Sequence, residues 1–165
     1  MLPESDVEIA ISNIEAAFAG LEPPGDDHLL HPEAMDDVDV LEFYGAPEWQ
    51  SLPDETMVRC WAAHYFFSAQ AFQYYMPAFM VWSLRHADTI DYTPESTIRA
   101  FDPGSPDDPL RPFQVSKFAL LTDAQIRSVI GFLELFSRDR ELGPIAHQAL
   151  SNYWAAEPTP TAGLR

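Results

Sequence analysis

The longest apolar stretch of the chain runs from Phe66 to Arg85 and predicts a buried central helix. Apolar side chains fall on almost every side of a helix drawn through it, which is typical of a helix inside a globule or a membrane. The helix proper, residues 69–85, is interrupted by polar residues and is shorter than the roughly 20 apolar residues that a membrane span needs. We therefore expect the central helix of a soluble protein, with Phe72, Met76 and Phe79 in the core.

Pro77 lies inside this predicted helix and allows two interpretations. A proline in a helix interior removes one backbone hydrogen bond and clashes with the preceding turn, at a cost of about 3 kcal/mol. Either the helix continues with a kink, or one helix ends near Tyr75 and a second begins with Pro77. We favour the kink because no Gly or Asn stop signal precedes the proline. Ser68 is placed to cap the start of the helix.

Helical periodicity and end signals predict further helices on both sides of the central one. Helices are predicted to begin at Ser5, Glu33, Asp54 and Pro144, while Thr93, followed by Pro94 as first helical residue, and Thr122 are predicted to cap two more. The helices that begin at Glu33, Asp54 and Pro144 are expected to extend to Tyr44, Tyr65 and about Ala156. Ser5 with Glu8, and Thr122 with Gln125, have the spacing of a capping box. For residues 113–121 the sequence pattern does not decide between a helix and an extended segment.

These elements predict an all-α protein with little or no sheet. Its architecture is a single globular domain of six or seven helices around a central buried, proline-kinked helix. A length of 165 residues suggests one domain, which we expect to span residues 1–156. Residues 157–165 are expected to be a disordered tail, and the proline-rich residues 102–112 a mobile loop.

Negative charge is concentrated in the first third of the chain. The sequence has 26 acidic and 9 basic residues, for a formal net charge of −17. The first basic residue is Arg59, and 15 of the 26 carboxylates precede it. Such a field attracts cationic partners and repels nucleic acid and anionic membranes. Adaptation to high salt more often spreads acids over the whole surface, so the asymmetry favours a partner.

The candidate partner-binding residues lie in the most acidic predicted helix, residues 33–44, and in the loop that follows it. The outer face of this helix is predicted to carry Asp36, Asp37, Asp39 and Glu42, while Met35, Val38 and Leu41, and less certainly Phe43, face the core. Trp49, in the loop of residues 45–53, is the expected aromatic anchor beside them. No catalytic residue stands out.

A metal site is the weaker interpretation of His28 and His31, which lie among aspartates. Imidazole and carboxylate are suitable ligands for zinc or manganese, but a proline-rich loop does not fix their spacing as a helix does. We therefore expect no metal and no cofactor. Cys60, the single cysteine, lies in an apolar run and is expected to be buried rather than nucleophilic.

Four segments carry a resemblance to known proteins: AFAG at 17–20, FYG at 43–45, WQSLP at 49–53 and FFSAQAFQYYMPAF at 66–79. They resemble a family of small, uncharacterised, acidic bacterial proteins, a domain of unknown function, from the first helix to about Leu133. The resemblance implies a bacterial cytoplasmic protein with one α-rich domain, and it carries over no catalytic residue.

The charge pattern favours a protein-binding module over an enzyme. Its most concrete form is an immunity or inhibitor protein that occludes a basic partner such as a toxin. One alternative is a small-ligand-binding protein or enzyme with an aromatic crevice near Tyr75, Pro77 and Trp82; another is a DNA-mimic inhibitor. The N-terminus lacks a secretory signal and no disulfide is possible within the chain, so we expect a cytoplasmic protein that binds neither nucleic acid nor membrane.

Overall fold

The computed structural model describes residues 1–155 and contains seven α-helices in this range, which confirms the all-α prediction. They are α1 (Glu4–Ala17), α2 (Asp54–Arg59), α3 (Ala69–Arg85), α4 (Thr93–Ala100), α5 (Arg111–Ser116), α6 (Asp123–Phe136) and α7 (Gly143–Ala149), and a π-helical turn, Leu150–Trp154, follows α7. Pairing of β type within residues 1–155 is limited to an isolated bridge between Leu30 and Phe67. None of the described helices is long and apolar enough to cross a membrane.

The predicted central helix, α3, is confirmed at both ends. The hydroxyl of Ser68 accepts a hydrogen bond from the backbone N–H of Ala71 (3.0 Å) and caps the first turn. Every α3 residue from Ala71 to Leu84 except Gln73 is buried, and the helix packs against α1, α2 and α4. The element that is apolar on all sides is therefore buried among its neighbours α1, α2 and α4.

Pro77 lies within α3, and the helix continues through it. Of the two interpretations, the single helix is therefore correct. A proline in this position leaves one backbone carbonyl without its helical donor, at a cost of about 3 kcal/mol. Burial of almost the whole helix offsets that cost, since a large apolar side chain contributes about 1.5–3 kcal/mol when it is buried.

A second layer is formed by α6, which packs against α1 and α7. The predicted capping box at its start is confirmed in both directions: Thr122 accepts from the N–H of Gln125 (3.3 Å), and Gln125 Oε1 accepts from the N–H of Thr122 (3.0 Å). The amide of Gln125 also donates to the carbonyl of Ala17 (3.2 Å). One side chain thus joins the start of α6 to the end of α1.

Two predicted helix starts are wrong in detail. α1 begins at Glu4 with Pro3 as its N-cap residue, and no side chain caps it, so the predicted capping box of Ser5 and Glu8 does not form. Thr93 is the first residue of α4 rather than its cap. Its hydroxyl donates instead to the carbonyl of Met57 (3.0 Å).

The helix predicted for residues 54–65 is shorter in the structure, where α2 ends at Arg59 and a separate 3₁₀ turn covers Ala63–Tyr65. Two hydroxyls of α4 contact this part of the chain: Thr93 donates to the carbonyl of Met57, and Ser96 donates to the carbonyl of Trp61 (2.9 Å).

Residues 113–116 of the segment that stayed open are helical, and together with Arg111 and Pro112, the last two residues of the predicted loop, they form α5. The loop before it is tied to the π-helical turn Leu150–Trp154, because Arg111 donates to the carbonyls of Gly104 and Asn152, and the Asn152 amide donates to Asp102 (2.7 Å). Its mobility stays a prediction. The predicted domain end at residue 156 and the tail of residues 157–165 lie outside the described residues.

Candidate functional site

The segment that carries the predicted partner-binding acids folds as turns followed by a short 3₁₀ helix, Val40–Phe43, so the α-helix predicted over residues 33–44 is wrong. The N–H of Glu33 donates to Nδ1 of His31 (3.0 Å), and the N–H of Asp37 donates to Oδ1 of Asp36 (2.7 Å). The bond from Asp37 uses an N–H that a helix beginning at Glu33 would direct to the carbonyl of Glu33, so this aspartate acceptor competes with the helix. Asp39 has a φ of 62°, a left-handed conformation that aspartate tolerates and an α-helix excludes.

The turns place the acids at the surface. Asp36, Asp37 and Glu42 are exposed and Asp39 is half-buried. Glu42 accepts from Arg59 Nη2 at 2.8 Å, in a pair whose side chains are half or more exposed, so the bridge adds little to stability. Partial burial, and then the charge of Glu42, raise the pKa of Asp39. The segment therefore presents negative charge directly to solvent.

Apolar side chains that were expected in the core lie between these acids at the surface. Met35 is fully exposed, Leu41 is 54 % exposed, and Val38 and Tyr44 are exposed as well, whereas Val40 and Phe43 point inward and are buried. We call the eight outward side chains the acidic surface: Met35, Asp36, Asp37, Val38, Asp39, Leu41, Glu42 and Tyr44. In a protein interface, apolar side chains of this kind supply buried area and charged ones form the rim.

Trp49 does not belong to this surface. It begins a 3₁₀ turn (Trp49–Ser51) that packs against α3, and it is 5 % exposed. Its indole lines a small cavity of about 100 Å³ together with Met57 and Trp82. Trp49 is therefore a core residue, and the exposed anchor expected there is wrong. Tyr44 is the exposed aromatic side chain of the acidic surface.

The aromatic crevice predicted near Pro77 is not assembled. Tyr75 packs against Phe43, with ring centroids 4.8 Å apart, and burial raises the pKa of its hydroxyl to about 12. Trp82 stacks on His86 at 4.0 Å and lines the small cavity, which neither Tyr75 nor Pro77 lines. The aromatic rings of α3 are core side chains.

His31 is held by hydrogen bonds within the protein. Its Nδ1 accepts from the N–H of Glu33, so Nε2 carries the proton and donates to the hydroxyl of Ser116 (2.9 Å), which donates to the carbonyl of Phe113 (2.6 Å). Burial lowers the pKa of His31. Within residues 1–155 no group of three His, Cys, Asp or Glu side chains is placed to hold a metal ion.

Sequence reasoning missed Lys117, which is the only lysine of the chain. Its side chain is buried (1 % exposed), and Nζ donates to the carbonyls of Tyr65 (2.9 Å) and His64 (3.5 Å). The ion pairs among residues 1–155 all lie elsewhere. Burial without a counter-ion lowers the pKa of Lys117 from its usual 10.5 to about 7. A single lysine in an apolar segment of an acidic chain was the available signal.

Phe113 connects Lys117 with two surface cavities. Nζ of Lys117 lies 4.8 Å from the centroid of the Phe113 ring. Phe113 lines a cavity of about 520 Å³ with His31 and Ser116, and another of about 460 Å³ with Tyr65 and others. A buried amine with a shifted pKa beside a cavity is typical of functional sites.

Comparison with known proteins identifies a family for this chain but assigns it no activity. The model of a family described as "Family of unknown function (DUF6714)" matches residues 8–158. No curated protein matches the chain, and no solved structure does. The match agrees with the expected domain of unknown function and covers all four segments on which the resemblance was based.

Proposed function

We propose that this chain, which belongs to the family of unknown function DUF6714, is a protein-binding module whose acidic surface contacts a basic protein. The observation that carries the proposal is the interleaving of carboxylates with exposed apolar side chains between Met35 and Tyr44. Carboxylates attract and orient a cationic partner. The apolar side chains between them supply area that is buried once contact is made.

The most concrete form of this function is an immunity or inhibitor protein of the bacterial cytoplasm that occludes a basic toxin. The net charge of −17 and the absence of Lys and Arg before Arg59 support it. The inward side chains of Val40 and Phe43 fix the segment to the core, so the charges are held in place before a partner arrives. Such preorganisation lowers the entropic cost of binding.

A charge-reversed variant tests the proposal without disturbing the fold. Asp36→Lys and Asp37→Lys reverse two exposed charges, while Asp39→Asn removes a third and keeps a residue that tolerates the left-handed φ. Glu42 stays in place to preserve its pair with Arg59.

The matched control makes the same change in net charge at exposed acids far from the segment in sequence. It combines Glu8→Lys, Glu134→Lys and Asp107→Asn, none of which forms a salt bridge with a described residue. Any effect of overall charge alone will therefore appear in the control as well.

Each of the three proteins is immobilised and exposed to a native bacterial lysate, and the retained proteins are identified by mass spectrometry. We expect a basic protein that the wild type and the control retain and the charge-reversed variant loses. Equal retention by all three proteins would contradict the proposal. Equal loss from both variants would contradict it as well, because it would show a response to net charge rather than to the acidic surface.

A further inference from the structure

We propose that Lys117 is a reactive amine that forms an imine with an apolar aldehyde or ketone, which reaches Nζ when the Phe113 ring moves aside. The site is separate from the acidic surface in all but Met35, and the proposal does not depend on a protein partner. It rests on the surroundings of the amine, on the position of Phe113 and on the chemistry of the adjoining cavities.

The hydrogen bonds of Nζ can all be made by a neutral amine. Lysine is almost never fully buried without a paired charge, and the hydrogen-bond partners of Nζ in the described residues are the carbonyls of Tyr65 and His64. A neutral amine has two hydrogens, which these two carbonyls accept, and its lone pair then has no donor. The lone pair of an unprotonated lysine is the nucleophile in imine formation.

The low pKa of Lys117 supplies that neutral form near pH 7. A structural role alone would be served as well by an ammonium group, since the two carbonyls end the 3₁₀ turn Ala63–Tyr65 and accept from either form. The two roles therefore differ in reactivity, which is what the experiment below measures.

The cavities define the class of carbonyl compound. The cavity of about 460 Å³ is lined mainly by apolar side chains, among them Met35, Phe66 and Leu110, and its size is within the range of small-molecule sites. Glu33 lines both cavities, and neither has an arginine or lysine in its lining. An uncharged, apolar carbonyl compound fits this site, and an anionic one is disfavoured.

The reaction needs no cofactor or redox partner. The lone pair of Nζ forms a bond to the carbonyl carbon, and a proton passes from nitrogen to oxygen to give a carbinolamine. The carbon–oxygen bond then breaks, and the oxygen leaves as water with the two hydrogens of the amine. The product is an imine at Lys117, and water can hydrolyse this imine back to the amine and the carbonyl compound.

Reductive trapping tests the site, because the chain has only two primary amines, Nζ of Lys117 and the exposed amino group of Met1. The native protein is treated with hexanal and cyanoborohydride at pH 7.5, and peptide mapping gives the ratio of adducts at Lys117 and Met1. Glyoxylate, a small anionic aldehyde, is the comparison. We expect a ratio at least about tenfold higher with hexanal, the discrimination that an apolar pocket provides. Lys117→Arg should abolish the internal adduct.

Phe113→Ala should speed labelling of Lys117 because it removes the ring beside Nζ. Phe132→Leu, a core substitution elsewhere, controls for labelling through unfolding, with urea midpoints measured for both variants. Absence of an adduct at Lys117 in the native wild type would overturn the proposal, as would equal ratios for hexanal and glyoxylate. Acceleration by Phe132→Leu as large as that by Phe113→Ala, at matched stability, would overturn it too.

Discussion

At the scale of single residues, Lys117 makes the free energy of unfolding depend on pH. Burial lowers its pKa to about 7 in the folded protein, whereas the unfolded chain has the usual value of 10.5. Between these values the unfolded state binds more protons, so stability rises with pH. The slope from this residue is at most about 1.4 kcal/mol per pH unit.

We therefore predict that wild-type protein gains stability relative to Lys117→Met between pH 7 and pH 9. Urea unfolding of both proteins at pH 7, 8 and 9 measures this difference, and contributions of other groups, such as Cys60 with its raised pKa, cancel in it. A difference that stays constant across this range would show that Lys117 keeps its proton in the folded state.

The burial of His64 should lower the free energy of unfolding at acidic pH. It is completely buried, Nδ1 has no hydrogen-bond partner, and burial, followed by the charge of Lys117, lowers its pKa from 6.5 to about 3. The unfolded state binds more protons between these values, so stability falls as the pH drops below 6.5. Wild type should lose up to about 1.4 kcal/mol per pH unit relative to His64→Gln between pH 6 and pH 4.5. Thermal denaturation at several pH values in this range measures the difference. An equal change in stability with pH for the two proteins would contradict the prediction.

At the scale of elements, the caps differ in a way that mutation can measure. Thr122 caps α6, whereas Ser5 caps nothing although its sequence pattern is similar. Thr122→Ala should cost about 1 kcal/mol of stability, the usual value for a lost N-cap. Ser5→Ala should stay within about 0.5 kcal/mol, as surface substitutions do. Urea unfolding of both variants distinguishes them, and equal costs would contradict the observed caps.

Truncation of α3 side chains should be far more costly than truncation at the surface. Phe72 is fully buried and packs edge-to-face on Phe101 at 5.6 Å. Phe72→Ala should cost about 3–5 kcal/mol because it leaves a cavity, while Leu110→Ala, at a residue that is 62 % exposed, should change the stability little. An unchanged melting temperature of the Phe72→Ala variant would contradict the position of α3 at the centre of the core.

The elements that could be predicted are those whose signal is local. α3 is apolar on every side, and Ser68, Thr122 and Gln125 are caps that act within one turn. The early end of α2 could not be predicted, because the apolar positions up to Tyr65 keep helical spacing and no Gly or Pro stop signal follows Arg59. The acidic segment has helical periodicity, but periodicity detects neither the bond of the Asp37 N–H to the Asp36 side chain nor the left-handed conformation of Asp39.

At the scale of the whole molecule, the sequence identified the charge of the candidate site better than its anchors. The exposure of Asp36, Asp37 and Glu42 follows from their polarity alone. Trp49 was misplaced because a loop position says little about burial, and Lys117 was missed because one residue has no periodicity. Both errors concern side chains whose surroundings are built from distant parts of the chain.

The asymmetric charge has a consequence for the rate of binding. Self-repulsion among clustered carboxylates disfavours the compact state, and the proposed benefit is attraction of a basic partner. Exposed charges are screened beyond about 10 Å at 0.1 M salt. Association should therefore be fast at low salt and slow down as the ionic strength rises, whereas dissociation should depend on salt much less.

The most direct test of the acidic surface is the association rate of the captured partner with wild type, the charge-reversed variant and the matched control, at two salt concentrations. At low salt we expect the variant carrying Asp36→Lys, Asp37→Lys and Asp39→Asn to associate more slowly than the other two, with dissociation changed much less and the difference reduced at high salt. If that variant associates as fast as wild type at both salt concentrations, the acidic surface has no role in binding that partner.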